Sequence, residues 1–252
     1  MCVEQHFTHK PDMDDTPDAP ELSLFLASTA HDMKNSISVL SGTLERLLVA
    51  HSAQTDPEYT QMAHMLYQTK RLNDNLMQLL ALYKQVGTPA YPFDVQPLEL
   101  GQLVDQVVAA ERVLLKSRGL KLELDYDPEL VWHFDEDLIA GVLSHAINNA
   151  IHYTCDTVRL AIHVTVDGWL ELRVEDNGPG YPPALLKAGA GATRDKDGAT
   201  AGGINFLTNS TGLGLYFSSE VAKMHRHRER RGTLRLENGG RYGGGCFILC
   251  LP

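Results

Sequence analysis

From Glu21 onward, apolar residues recur at alternating spacings of four and three: Leu26, Ala30, Met33, Ile37, Leu40, Leu44 and Leu47. That is the seam of a heptad, and it predicts a long amphipathic helix. A break at Thr55-Asp56-Pro57 precedes a second seam of Met62, Met65, Thr69, Leu72, Leu76, Leu79, Tyr83 and Val86. Gly87, Pro89 and Pro92 end it. Residues 21–88 therefore read as an antiparallel helical hairpin. One hairpin buries a single stripe of each helix, and two can close a four-helix core, so a homodimer is expected. The alternative is a hairpin packed on the rest of its own chain. Residues 1–20 combine Pro11, Pro17 and Pro20 with Asp12, Asp14, Asp15 and Asp18, without an apolar period. They read as a disordered lead-in.

A different texture covers residues 93–252. A helical stretch over Leu100 to Leu115 leads to the alternating strand Leu120 to Leu124, and a second helix runs from Glu136 to Ile151. Strands over Val158 to Val166 and Trp169 to Val174 flank Asp167-Gly168, and a Gly-rich tract follows from Gly178 to Gly214. A helix over Leu213 to Met224 and strands over Thr233 to Leu236 and Cys246 to Leu251 complete the pattern. Paired strands with interspersed helices predict an α+β fold: one mixed sheet with helices on one face.

The charge balance narrows the chemistry. With 32 acidic and 22 basic residues the formal net charge is −10. That argues against nucleic acid or an anionic membrane as the main partner. Cys2, Cys155, Cys246 and Cys250 show no paired spacing, so a reducing, cytoplasmic setting is expected rather than a disulfide or zinc scaffold. No apolar run approaches the roughly 18 residues needed for membrane insertion, and Met1 to Pro20 lacks the form of a signal peptide.

Three segments carry candidate chemistry. Asp176-Asn177-Gly178-Pro179-Gly180 ends a strand, and Gly212-Leu213-Gly214-Leu215 opens a helix. A strand-end aspartate accepts a hydrogen bond from an exocyclic amine, and glycines admit a flat ring close to the backbone. Free N–H groups at a helix start suit phosphates, and the segment between the two sites has the length of a lid. On the middle helix, Asn149 offers a neutral oxygen to a Mg²⁺ that otherwise binds phosphates and water. On the first helix, His31 lies just off the seam beside Asp32 and should face solvent. An imidazole oriented by a carboxylate is a phosphoryl acceptor. Taken singly, each has an ordinary structural explanation: a surface turn, a helix asparagine, a solvated histidine.

In this order the segments resemble the sensor histidine kinases of two-component signalling. His31-Asp32-Met33-Lys34-Asn35 resembles the phosphoacceptor box of the dimerisation hairpin, and Val142 through Thr154 the N box. Asp176 to Gly180 and Gly212 to Leu215 resemble the two glycine boxes, and Gly244-Gly245-Cys246-Phe247 the end of the ATP-binding domain. The resemblance implies a dimeric four-helix bundle followed by an α/β sandwich of the Bergerat type. It makes His31 the nucleophile, Asp32 its base, and Asn35 a residue that positions water for dephosphorylating a partner. Asn149 would hold Mg²⁺. His152, Tyr153, Asp176, Gly178, Gly180 and Thr211 through Leu215 would approach ATP. The phosphoryl group would pass from His31 to an aspartate of a response regulator receiver domain in trans. No sensor domain precedes the hairpin in this sequence, so either the chain is a fragment or a separate sensory partner protein supplies the input.

The pattern also departs from the family. His145 and His152 stand where an asparagine and a lysine are common, Ser36 where a proline is, and His225-Arg226-His227-Arg228-Glu229-Arg230-Arg231 where His-Gly-Gly is. Neutral imidazoles at 145 and 152 should weaken triphosphate binding. If either is protonated it substitutes in part, and activity then falls with rising pH. The basic run reads first as a solvated loop and second as a dock for an acidic partner. A water-activating ATPase of the same superfamily would need a glutamate at His145 and is a poor fit. A degenerate kinase acting as a scaffold remains the alternative, ahead of a phosphotransfer hairpin whose ATP domain has decayed.

Overall fold

The computed structural model describes residues 19–50, 57–84, 93–188 and 213–252. Helix α1 (Ala19–Ala50) and helix α2 (Pro57–Lys84) form the hairpin. Helix α1 runs unbroken through Ser36, as expected of a residue that keeps the N–H a proline lacks. Leu44, Leu48, Tyr59 and Leu66 form a small core, joined by Met62, Ala63 and Val113. The heptad seam is thus divided. Of its residues, Leu44, Thr69 and Leu76 are buried, while Met33, Leu40, Leu47, Met65 and Leu72 remain exposed on the single chain.

The second unit opens with β1 (Gln96–Glu99), α3 (Leu100–Ser117), β2 (Lys121–Asp125), β3 (Val131–Phe134) and α4 (Glu136–Tyr153). It continues with β4 (Thr157–Val164), β5 (Leu170–Asp176), α5 (Pro183–Ala188) and α6 (Leu213–Met224). The short strands β6 (Arg226–His227) and β7 (Arg230–Arg231) precede β8 (Thr233–Asn238) and β9 (Gly245–Leu251). The main sheet has the order β2-β4-β5-β9-β8. Strand β2 runs parallel to β4, and the other pairs are antiparallel. The expected mixed sheet is therefore present. Strands β1 and β3 form a separate antiparallel pair, which the hydrophobic pattern does not announce.

Alternation along the strands sorts the two faces. On one face, Val158, Leu160, Ile162, Leu170, Leu172, Val174, Phe247, Leu249 and Leu251 join α3, α4 and α6 in one core. Each buried leucine- or phenylalanine-sized side chain contributes about 1.5–3 kcal/mol there. The opposite face holds Cys246, Ile248 and Cys250 beside Trp169. Over it lie Arg159 paired with Glu175 at 2.6 Å and with Asp125, and Arg235 paired with Glu171 at 3.0 Å.

Two devices fix α4, which carries Asn149. Its N-cap Asp135 accepts a hydrogen bond from the Leu138 N–H at 3.0 Å, and Glu136 and Asp137 complement the helix dipole. The buried His225, just beyond α6, donates from Nδ1 to the Val221 carbonyl at 2.8 Å and accepts the Asp135 N–H at Nε2, 3.0 Å away. That single ring ties the end of α6 to the start of α4, in the neutral form that can accept at Nε2.

Burial pushes the His225 pKa below the ordinary histidine value, against the opposing pull of the Val221 carbonyl and Asp135. The unfolded chain then binds the proton more readily, so this contribution is complete above about pH 6.5 and is lost as pH falls below it. We expect the urea midpoint of the wild type to drop on the acid side of that value, and His225→Gln to flatten the drop. Equal slopes for the two proteins would remove His225 as the cause.

Candidate nucleotide site

Strand β5 delivers Asp176 to the sheet end where α4 terminates and β9 begins. The carboxylate is nearly buried. Its Oδ1 accepts the Gly178 N–H at 2.7 Å and the Gly245 N–H at 3.2 Å. Among the described residues, Oδ2 receives no hydrogen bond. One oxygen is fixed by the backbone and the other is left to accept.

This seat requires glycines. A Cβ on Gly244 would stand 2.4 Å from the Asp176 carbonyl oxygen and 2.5 Å from Oδ1, and one on Gly245 would stand 2.8 Å from Oδ2. A Cβ on Gly178 would meet the Tyr153 carbonyl oxygen at 2.2 Å. The last turn of α4 and the first glycine after β5 are therefore in backbone contact. Tyr181 leans on the same corner. Burial and the nearby Asp176 charge raise its pKa well above the ordinary tyrosine value.

Two asparagines hold the corner together. Asn177 Oδ1 accepts the N–H groups of Cys155, Asp156 and Thr157 at 3.0, 3.2 and 3.3 Å and the Thr154 hydroxyl at 2.7 Å. Its Nδ2 donates to Asp156 at 2.8 Å. Asn238 accepts the Tyr181 N–H at 2.7 Å and donates to the Tyr181 carbonyl at 2.9 Å, occupying the space a Cβ on Gly180 would need. Gly180 itself has φ +77°, a conformation glycine adopts without strain.

On α4, the Asn149 amide nitrogen lies 2.9 Å from His145 Nε2. With that nitrogen donating, the Asn149 Oδ1 has no partner among the described residues and is free for a hard cation. His145 thus orients the residue that the sequence assigns to Mg²⁺. Of the other predicted site residues, Gly214 is buried in α6 and Leu215 packs partly against the core. Leu213 begins α6, with its side chain outside the described residues. Thr211, Gly212 and residues 189–210, the segment expected to have the length of a lid, lie outside the described residues. His31 and Asp32 lie in α1 with their side chains outside the described residues, and Asn35 is exposed. The turn near Ala53 to Pro57 falls mostly outside them as well.

Comparison with known proteins gives this corner a family. Residues 134–252 match the family described as "Histidine kinase-, DNA gyrase B-, and HSP90-like ATPase". The Sensor protein SrrB of Staphylococcus aureus (strain NCTC 8325 / PS 47) is 27% identical over 211 residues, covering 80% of this chain and 34% of the relative. Over those stretches the chain is similar to the sensor histidine kinases. It spans about a third of the length of that curated relative. Full-length ShkA, solved in complex with AMPPNP, shares the fold at a TM-score of 0.54 and 20% identity, covering 91% of this chain and 46% of that one. The histidine kinase AdeS of Acinetobacter baumannii does so at 0.50 and 20%, covering 88% and 96%. No helix among the described residues is long and apolar enough to cross a membrane.

Within residues 134–252, His152 behaves unlike the lysine that the resemblance leads one to expect at its position. Its ring stacks on Tyr67 of α2, with centroids 5.6 Å apart and planes 6° apart, and its Nδ1 lies 3.1 Å from the Tyr67 hydroxyl. Burial, Arg118 and Arg71 push its pKa below the ordinary value. A cationic His152 at neutral pH, the basis for expecting activity to fall with rising pH, is therefore disfavoured at this position. Sequence reasoning also missed Asn177 and Asn238. Asn177 lies within the quoted segment Asp176 to Gly180 but was given no role there, and Asn238 is marked only by its position beside Gly239-Gly240.

Asn177→Ala should destabilise the domain by about 1–3 kcal/mol in urea unfolding, since several backbone donors lose their shared acceptor. Asn177→Asp, which keeps an acceptor oxygen, should recover part of the loss. No measurable change in Asn177→Ala would show that water replaces the side chain without cost.

Proposed function

We propose that the chain is a protein-histidine kinase that autophosphorylates His31 from Mg-ATP. The observation that carries this reading is the pair of uncommitted oxygens, Asp176 Oδ2 and Asn149 Oδ1, at the glycine-lined corner. Asp176 Oδ2 is suited to accept the adenine amine, and the bare backbone of Gly178, Gly244 and Gly245 lets a flat ring approach. Asn149 would hold the Mg²⁺, which draws the phosphate oxygens together and neutralises charge developing between the β and γ positions. Tyr153, Gly180 and Thr211 through Leu215 would complete the nucleotide contacts, with His152 beside them.

In the transfer, a ring nitrogen of His31 forms a bond to the γ-phosphorus while the bond to the bridging oxygen breaks and ADP leaves. Asp32 takes up the ring proton or fixes the reactive tautomer. The phosphoryl group then passes to an aspartate of a response regulator receiver domain in trans, and Asn35 would position water for hydrolysis of that aspartyl phosphate to inorganic phosphate. The exposed apolar residues Met33, Leu40, Leu47, Met65 and Leu72 support a homodimer through the hairpin. A cytoplasmic setting and a separate sensory partner fit the same scheme.

One observation favours a second reading, a degenerate kinase acting as scaffold or phosphatase. Tyr67 engages His152, so the residue at the usual lysine position offers the phosphates no fixed cation. Incubation with γ-labelled ATP and Mg²⁺ separates the two. A kinase gives acid-labile, alkali-stable label that is absent in His31→Gln. Nucleotide binding without label would favour the scaffold. Light scattering on the same preparation should give twice the chain mass, and a single-chain mass would remove the dimer.

A further inference from the structure

We infer that Tyr67 and His152 form a latch that couples docking of the hairpin to the wall of the nucleotide pocket. The inference rests on the nucleotide reading of the Asp176 corner and assigns that site a means of regulation.

The latch joins two elements far apart in sequence. Tyr67, on α2, is 7% exposed and joins the main core with residues of α3 and α4. His152 stacks on its ring and hydrogen-bonds its hydroxyl. The Arg118 guanidinium lies 5.0 Å from the Tyr67 centroid and donates to the Ile151 carbonyl at 3.4 Å. Tyr153 meets the His152 ring edge-on at 4.7 Å. Ile151, His152 and Tyr153 are the closing turn of α4. The Tyr153 carbonyl is the atom against which Gly178 is packed. The hairpin therefore grips the same turn that walls the pocket.

Alongside the latch, Lys70 of α2 reaches the carbonyl of Ala110 and pairs with the buried Glu111 of α3 at 3.2 Å. Glu111 in turn accepts from Asn148 of α4 at 3.4 Å. A lysine at position 152 would set a permanent cation against Arg118 and Arg71 and would lose the ring stack. Histidine at this position suits the docked arrangement, and the latch accounts for the departure from the family pattern. By reciprocity, whatever orders the turn from the pocket side must also strengthen docking.

The test uses the full chain with reporters at Arg46→Cys and Glu237→Cys, in a background of Cys2→Ser and Cys155→Ser. Energy transfer between them reads docking, and calorimetric titration with ADP reads the pocket. The wild type should show a short, narrow separation that ADP narrows further. Tyr67→Ala and His152→Lys should both broaden it, with Tyr67→Phe intermediate because it keeps the stack and loses the hydroxyl. Tyr67→Ala should weaken ADP binding by about fivefold or more, within the usual range of coupling between sites. Tyr67→Phe guards against a folding defect, since it keeps the buried ring and its stack, and its melting curve is expected to match the wild type. Unchanged separation and affinity in all three variants, with ADP still bound, would overturn the latch. Failure of the wild type to bind ADP would overturn the nucleotide reading and the coupling with it.

Discussion

The seating of one carboxylate constrains most of the unit formed by residues 93–188 and 213–252. Asp176 is nearly buried at a sheet end, where an ionised group persists only if hydrogen bonds replace its water. Two backbone N–H groups supply them, from Gly178 and Gly245. For both to reach Oδ1, the turn after β5 and the start of β9 must converge to a distance that no Cβ permits. The glycines are thus a packing requirement before they are a binding motif. The result is an acceptor oxygen in a fixed direction at a place where a ring can lie against bare backbone.

Helix α4 distributes that constraint to the rest of the molecule. Its apolar face, including Ile139, Leu143, Ile147 and Ile151, is part of the main core. Its first turn is pinned through Asp135 to His225, its middle carries Asn148 toward Glu111 and Lys70, and its last turn packs on Gly178 and holds Tyr67. A buried pair such as Lys70 and Glu111 adds little net stability, yet removing one partner strands a charge, so it favours one docked register over its neighbours. Core, pocket and hairpin interface are three sides of one helix.

Much of this was legible in the residue pattern because it obeys simple periods. The two seams marked the hairpin, period-two alternation marked β4 and β5, and Asp176 with its glycines marked the turn where β5 meets the start of β9. What escaped has no period. The β1–β3 pair is four residues a side and depends on chain segments that meet only in the fold. The basic run was expected to be a solvated loop. Its middle is instead the β6–β7 hairpin, with Arg228 at φ +53° and Arg230 resting over Trp169 and bonding the Asp167 carbonyl. His225, Asn177 and Asn238 act on backbone groups, so nothing in their spacing advertises a role. The contact of His152 with Tyr67 spans two units, and no local pattern encodes it.

Under the proposed function, Asp176 offers a purine one free oxygen beside the one fixed by Gly178 and Gly245. Calorimetric titration of the wild type and Asp176→Asn with ADP and with GDP tests it most directly. The wild type should bind ADP in preference to GDP, because guanine presents a carbonyl where adenine has its amine. Asp176→Asn should lose about 10-fold or more in ADP affinity, as expected when a charged acceptor is removed. Equal affinities for the two nucleotides, or an Asp176→Asn variant that binds ADP as the wild type does, would contradict it.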